Sequence, residues 1–157
     1  RNVSKIPVRQ ALAKVTLFVR SAEDVQRLAH QGDLMSLVRD ELNVELVQLA
    51  QAPAEATEDT VELDTVITPE LRKKGLRREL MRQMMAYRKQ LGLSPADVVR
   101  FGYETQNAEL KQLIEESATE LAKDVRASEL VPATGLSEPE AVRAEVGEGE
   151  VYLVRLV

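Results

Sequence analysis

Residues 61–90 read VELDTVITPELRKKGLRRELMRQMMAYRKQ, and this stretch determines more of the fold than any other. Its first seven residues alternate apolar and polar side chains, which predicts a strand over Val61–Ile67. Thr68 then offers a hydroxyl that can cap a helix, and Pro69 suits the first helical position because it lacks an N–H. Glu70 complements the positive end of that helix. We therefore predict a strand that leads directly into a long helix beginning at Thr68.

The apolar side chains of this helix form one stripe when residues are projected at about 100° each. The predicted core-facing residues are Leu76, Leu80, Met84, Tyr87 and Leu91. The opposite side carries the cations Lys74, Arg78, Arg82 and Lys89, with Met85 among them and Arg77 and Arg88 on a flank. Gly75 lies inside the helix, where glycine costs about 1 kcal/mol relative to alanine. Close packing against a strand or an RNA backbone would explain this glycine, and so would simple tolerance.

The charge of the helix differs from that of the remaining chain. Between Thr68 and Gln90 there are eight Lys or Arg and two Glu, so the segment is +6 in a chain of net charge −5, and the other residues sum to −11. Such a segment suits a polyanion, because Lys and Arg gain free energy by displacing counterions from phosphates. A solubilising face that forms weak surface ion pairs is the alternative. The near absence of acids on this face favours phosphate binding.

Periodicity and turn residues predict the other elements around the helix. Before it we expect a strand ending at Val19, helices starting at Ser21 and Asp33, and a strand over Val44–Leu49. After it we expect a strand over Val98–Glu104, a helix capped by Asn107, a strand over Glu129–Val131 and a hairpin over 141–157. The predicted order is β-α-β-β-α-β-α-β-hairpin. The fold class is α/β (α+β), with a mixed or antiparallel sheet of about five to seven strands and three main helices.

The acidic, aperiodic loop Gln51–Thr60 separates the two halves of the sequence. The chain is therefore either a single domain over 1–157 or two lobes, 1–50 and 61–157, joined by this loop. A weak internal sequence similarity supports two similar halves. The segments DLMSLVRDE at Asp33 and ELKQLIEE at Glu109 share the pattern acid-Leu-x-x-Leu-aliphatic-x-acid, and each lies between predicted strands. Duplicated βαβ-type units would explain this similarity, and so would the independent occurrence of the same pattern in two amphipathic helices.

Composition argues against catalysis and against a membrane span. The chain has 157 residues with 44% hydrophobic and 30% charged residues, and no apolar run approaches the ~18 residues of a membrane helix. Cysteine is absent, and the single histidine, His30, falls at a predicted helix end. No phosphate-loop, nucleophile-elbow or zinc-protease motif is present. We therefore expect no catalytic residue, no metal site and no cofactor. Aromatic residues make up 3%, which disfavours a base-stacking platform.

Three blocks of this sequence resemble the C-terminal region of isoleucyl-tRNA synthetases, which are class I aminoacyl-tRNA synthetases. The blocks are VRQALAKVTLFV from Val8, ELNVELVQL from Glu41, and VELDTVITPELRKKGLRRELMRQMMAYRKQLGLSPADVV from Val61. The third is the most specific, because it joins a strand, a Thr-Pro cap, a glycine within a helix and a pattern of arginines. The resemblance covers roughly Ile6–Val99.

The resemblance implies a non-catalytic region that follows the helical anticodon-binding bundle and helps hold the anticodon stem-loop of an isoleucine-specific tRNA. The parent would be a cytoplasmic, ATP-dependent isoleucine–tRNA ligase, with the rest of its chain as a partner and no membrane association. Its catalytic core and editing insertion are not in this sequence. The expected phosphate contacts are Lys74, Arg78, Arg82, Lys89, Arg77 and Arg88.

Three positions depart from the family pattern: Ala11 replaces a frequent Pro, Glu45 a frequent Lys and Lys74 a frequent Glu. Glu45 weakens an RNA role for its strand, whereas Lys74 strengthens that of the helix.

A structural module that packs on the synthetase body or on another chain remains the alternative function. An autonomous enzyme has no supporting constellation of residues.

Overall fold

The computed structural model describes residues 5–7 and 10–156. Within them, four helices and seven strands form an α+β fold, which confirms the predicted class. The elements are β1 Leu12–Val19, α1 Ala22–Ala29, α2 Gly32–Leu42, β2 Val44–Gln51, β3 Thr60–Leu63, α3 Pro69–Gln90, β4 Val99–Glu104, α4 Ala108–Asp124, β5 Ala127–Pro132, β6 Val142–Val146 and β7 Gly149–Leu156. The strands belong to two mixed sheets of three and four strands. The chain divides into compact units Arg1–Gly75 and Leu76–Val157, so the division falls within α3.

The first unit is built on a three-stranded sheet with the order β2-β1-β3. β1 runs parallel to β2 and antiparallel to β3, and α1 and α2 connect the parallel pair. The predicted start of α1 is confirmed, because the Ser21 hydroxyl accepts a hydrogen bond from the Asp24 N–H at 3.2 Å. The second helix, α2, ends at Asn43, whose φ of 50° lies in the left-handed region. The core cluster of this unit is small, with Leu12, Val15 and Val44 fully or nearly buried.

In the first unit the helices are poorly covered and one strand is shorter than predicted. On α2, Leu34 is 39% and Leu37 57% exposed. Neither α1 nor α2 buries a described residue, because a three-stranded sheet offers these short helices little apolar surface. The strand expected over Val61–Ile67 ends at Leu63, because the Asp64 carboxylate accepts a hydrogen bond from the Val66 N–H at 3.0 Å and turns the chain.

Gly75 has a packing reason within the first unit. The Gln10 side chain donates hydrogen bonds to the carbonyl oxygens of Ala11 and Leu71, both at 2.9 Å, and this holds it beside α3. A Cβ added to Gly75 would lie 2.6 Å from the Gln10 Oε1 atom. Glycine therefore makes room for the amide that joins the start of β1 to the first turns of α3.

The second unit is built on a four-stranded sheet with the order β5-β4-β7-β6. β4 is parallel to β5 and antiparallel to β7, and β6 and β7 form the predicted hairpin, whose turn includes Gly147 at φ +60°. The alternate residues Val99, Phe101 and Tyr103 of β4 are all buried and form its inward side. The Asn107 cap is also confirmed, since its side chain accepts a hydrogen bond from the Leu110 N–H at 3.0 Å.

One large core cluster joins the elements of the second unit. α3 and α4 contribute apolar side chains to it, and the sheet supplies residues from all four strands. The buried residues of α4 are Leu110, Leu113, Ile114, Leu121 and Ala122. This cluster fixes the rotation of the α3 turns that belong to the second unit, and with it the face that those turns present to solvent.

Candidate functional site

The start of α3 forms as its sequence predicts. The Thr68 hydroxyl accepts a hydrogen bond from the Leu71 N–H at 3.3 Å, and Pro69 is the first helical residue. The exposed Glu70 carboxylate accepts a hydrogen bond from its own backbone N–H and interacts with the Thr68 hydroxyl, which together lower the pKa of Glu70. The helix thus begins at a defined residue, which sets the register of every cation that follows.

The apolar side of α3 is buried within the second unit. Leu76, Leu80, Met84 and Tyr87 are between 0% and 7% exposed, as predicted. The Tyr87 hydroxyl accepts a hydrogen bond from the Arg155 N–H at 3.1 Å, and its ring centroid lies 5.7 Å from that of Phe101. These contacts fix the helix about its axis. Side chains that project from the opposite side therefore face solvent.

Arg78, Arg82, Met85 and Lys89 are exposed on that opposite side, and we call these four residues the basic face. Spacings of four, three and four residues place them along one line of the helix. In the described part of the chain, the side chains of Arg78 and Lys89 have no hydrogen-bond or ion-pair partner. Met85 is 46% exposed between the cations. Two unneutralised cations flanking an apolar side chain can contact an anionic ligand.

Arg82 is held by an acidic neighbour on its own helix. Its Nη2 atom lies 2.6 Å from Glu79 Oε1, and its Nε atom lies 3.4 Å from Glu79 Oε2. The hydrogen bond to Glu79, followed by the charge of that carboxylate, raises the pKa of Arg82. The Arg82 side chain remains 56% exposed, so this cation is fixed in place yet still open to solvent.

Lys74 belongs to the first unit and forms an ion pair there with Glu45 of β2. Both side chains are exposed, so the pair contributes little stability. The two departures from the family pattern noted in the sequence are therefore partners. Because Glu45 compensates the charge of Lys74, this lysine is a weaker candidate for phosphate contact than Arg78 or Lys89.

Arg77 and Arg88 act within the fold of the second unit. Arg77 Nη2 lies 2.7 Å from Asp124 and 3.2 Å from Glu120, so this arginine ties α3 to α4.

Arg88 is only 3% exposed, and it donates hydrogen bonds to the carbonyl oxygens of Arg126, Ser94 and Asp97 at 3.0, 2.8 and 2.7 Å.

The phosphate contact expected of Arg88 does not fit this burial, because the guanidinium has no access to a ligand. The burial of Arg88 could have been predicted from its position in the sequence. Arg88 lies four residues after Met84 and three before Leu91, which places it beside the core stripe. It anchors the Ser94–Asp97 turn, where the Asp97 carboxylate accepts a hydrogen bond from the Ser94 N–H at 2.6 Å.

The described residues hold no candidate metal centre. No group of three or more His, Asp or Glu side chains among them could bind a metal ion. His30 is exposed at the end of α1, with its Nδ1 atom 2.7 Å from the Gln26 carbonyl oxygen. Across residues 5–7 and 10–156, no helix is both long and apolar enough to cross a membrane.

Comparison with known proteins supports a relationship to a tRNA ligase. No family model matches the chain. The chain is 29% identical over 142 residues to an isoleucine–tRNA ligase of Thermobifida fusca (strain YX). The match covers 89% of this chain and 13% of the length of that ligase. The chain thus shows weak homology to a small part of a synthetase.

Proposed function

We propose that this chain is a non-catalytic tRNA-binding domain of an isoleucyl-tRNA synthetase, located in its C-terminal region. One observation carries the proposal: α3 presents Arg78 and Lys89 to solvent without a partner among the described residues, in a chain of net charge −5. An acidic protein has ample carboxylates with which to neutralise cations. Unpaired cations aligned on one rigid helix face therefore favour an external polyanion.

The homology suggests which polyanion this is. The similar protein from Thermobifida fusca is an isoleucine–tRNA ligase, and this chain corresponds to a small part of it. We infer that the basic face contacts phosphates of the anticodon stem-loop of a tRNA. Aminoacylation would reside in the rest of a cytoplasmic, ATP-dependent ligase, and this domain would contribute affinity and positioning.

The proposal is tested by charge reversal on the basic face. We expect Arg78→Glu combined with Lys89→Glu to weaken binding of fluorescently labelled isoleucine tRNA on the order of tenfold, because two phosphate contacts become repulsions. The matched control combines Lys111→Glu with Lys123→Glu on α4, which reverses the charge of two other exposed lysines in the same unit. An equal loss in the control would indicate a general charge effect, and unchanged affinity of the double variant would refute the proposal.

A second function is favoured by a different observation. Leu37 on α2 is 57% exposed and Val61 on β3 is 63% exposed, both in the first unit. Leu34, one helical turn from Leu37, is 39% exposed as well, and contiguous exposed apolar surface of this kind is typical of faces that pack on other protein. The chain would then be a structural module on the synthetase body or on a partner chain. Changing Leu37 and Val61 to Ser would abolish that association while leaving tRNA affinity intact, whereas the tRNA-binding proposal predicts the opposite result for the Arg78 and Lys89 variants.

A further inference from the structure

Glu79 sits beside the basic face, although a carboxylate should repel a polyanion. Its side chain is only 11% exposed, in contrast to the 56% exposure of its partner Arg82. A partly buried carboxylate requires hydrogen-bond donors. Arg82 and Gln83 both donate hydrogen bonds to it.

These contacts form a chain that reaches the sheet. The Gln83 Nε2 atom lies 3.1 Å from the Glu145 carbonyl oxygen of β6 and 3.3 Å from Glu79 Oε1. Glu79 in turn lies 2.6 Å from Arg82 Nη2. The guanidinium of Arg82 is therefore connected through two side chains to the backbone of a strand in the same unit. This connection restricts an otherwise flexible surface arginine.

The geometry of the pair leaves part of Arg82 open. Glu79 contacts the edge formed by Nε and Nη2, and the described residues provide no partner for Nη1. A guanidinium carries five N–H donors, so the edge formed by Nη1 and Nη2 can still bind a phosphate. Such a donor arrangement matches the oxygens of a phosphate only when the guanidinium is correctly oriented.

We propose that Glu79 is a positioning residue that holds Arg82 in the orientation required for phosphate binding. The inference rests on the tRNA-binding function proposed above. An arginine that is already fixed loses less side-chain entropy when its ligand binds, and a fixed donor geometry also selects for bidentate phosphate contacts. The local cost of one negative charge is offset because Arg82 partly neutralises it.

The variant Glu79→Gln provides the test, because positioning and simple electrostatics predict opposite signs. Removal of a negative charge beside a polyanion site should strengthen binding. The positioning role instead predicts binding of labelled isoleucine tRNA that is weaker by roughly three- to tenfold, the range expected from the ordering of one long side chain. Tighter or unchanged binding would overturn the inference.

Matched variants separate this effect from charge and from folding. Glu115→Gln makes the same change of charge at an exposed position on another helix, α4, and we expect unchanged or slightly tighter binding. Gln83→Met removes the link between Glu79 and β6 without changing charge, and we expect a smaller loss than for Glu79→Gln. If Gln83→Met binds as tightly as the wild type, the link to β6 has no positioning role.

A separate variant, Arg78→Gln, tests the proposed tRNA-binding function independently of the positioning role of Glu79. Arg78 is not bonded to Glu79, so Arg78→Gln reports on polyanion binding alone. If Arg78→Gln weakens binding and Glu79→Gln does not, the positioning inference fails and the function stands. If Arg78→Gln has no effect, the proposed function itself fails.

Discussion

The two units contain the same kind of parallel strand pair, yet they bury its connecting helix differently. Leu34 and Leu37 of α2 correspond to Leu110 and Leu113 of α4 in the shared sequence pattern. The first two are 39% and 57% exposed, whereas the second two are 1% and 3% exposed. The same amphipathic pattern is therefore buried in the second unit and largely exposed to solvent in the first.

The surrounding elements explain this difference. In the second unit, α3 and a four-stranded sheet complete the core around α4, so each leucine of its stripe finds apolar neighbours. In the first unit, a three-stranded sheet supports two short helices, and the core cluster is limited to Leu12, Val15, Val44 and the partly buried residues against them. Periodicity thus identifies the apolar side of a helix, but the amount of surface available to cover that side decides its burial.

The largest expected effect comes from the corresponding leucines. We expect Leu113→Ala to lower the free energy of unfolding by about 2–5 kcal/mol, because it leaves a cavity in the core of the second unit. The matched variant Leu37→Ala should change it by less than about 0.5 kcal/mol, since this side chain is already exposed. Chemical denaturation measures both values. Equal losses would mean that α2 is as well covered as α4.

A smaller loss is expected from the buried arginine of the second unit. Arg88→Met keeps the apolar stem but leaves the carbonyl oxygens of Arg126, Ser94 and Asp97 without their donor. We expect a cost of about 2–3 kcal/mol, measured by denaturation. Arg78→Met is the control, because this exposed arginine has no described partner to lose. A control that destabilises as much would contradict the division of α3 into structural and exposed arginines.

The smallest effect is expected at alkaline pH. Burial, followed by the negative charge of Glu115, raises the pKa of Tyr103 in the second unit. A tyrosine with a folded pKa above its unfolded value of about 10 stabilises the fold below that pH, and the contribution is lost as the pH rises through the folded pKa. Tyr103→Phe should therefore flatten the decline in unfolding free energy above about pH 10. A decline identical to that of the wild type would exclude Tyr103 as its source.

Local signals in the sequence predicted much of the fold. Ser21, Thr68 and Asn107 cap helices through the hydrogen bonds that their side chains were expected to accept. The core stripe of α3 and the inward side of β4 were also predictable, because each follows a strict period. The partition into two sheets was not predictable, since strand pairing depends on contacts between residues distant in the sequence.

The candidate site was predictable only in part. The helical projection correctly separated the buried apolar side of α3 from Arg78, Arg82 and Lys89, which are exposed. It could not reveal that Asp124 and Glu120 of α4 neutralise Arg77, because those carboxylates come from a distant part of the sequence. The role of Glu79 also required the structure, since its link to β6 runs through Gln83 to a backbone carbonyl.

The salt dependence of tRNA binding tests the central claim most directly. The logarithm of the affinity falls linearly with the logarithm of salt concentration, with a slope of about 0.7–0.9 for each phosphate that a cation neutralises. If Arg78 and Lys89 each contact a phosphate, the variant that combines Arg78→Gln and Lys89→Gln should have a slope shallower by about 1.5 than the wild type. An unchanged slope would show that the basic face of α3 does not bind tRNA phosphates.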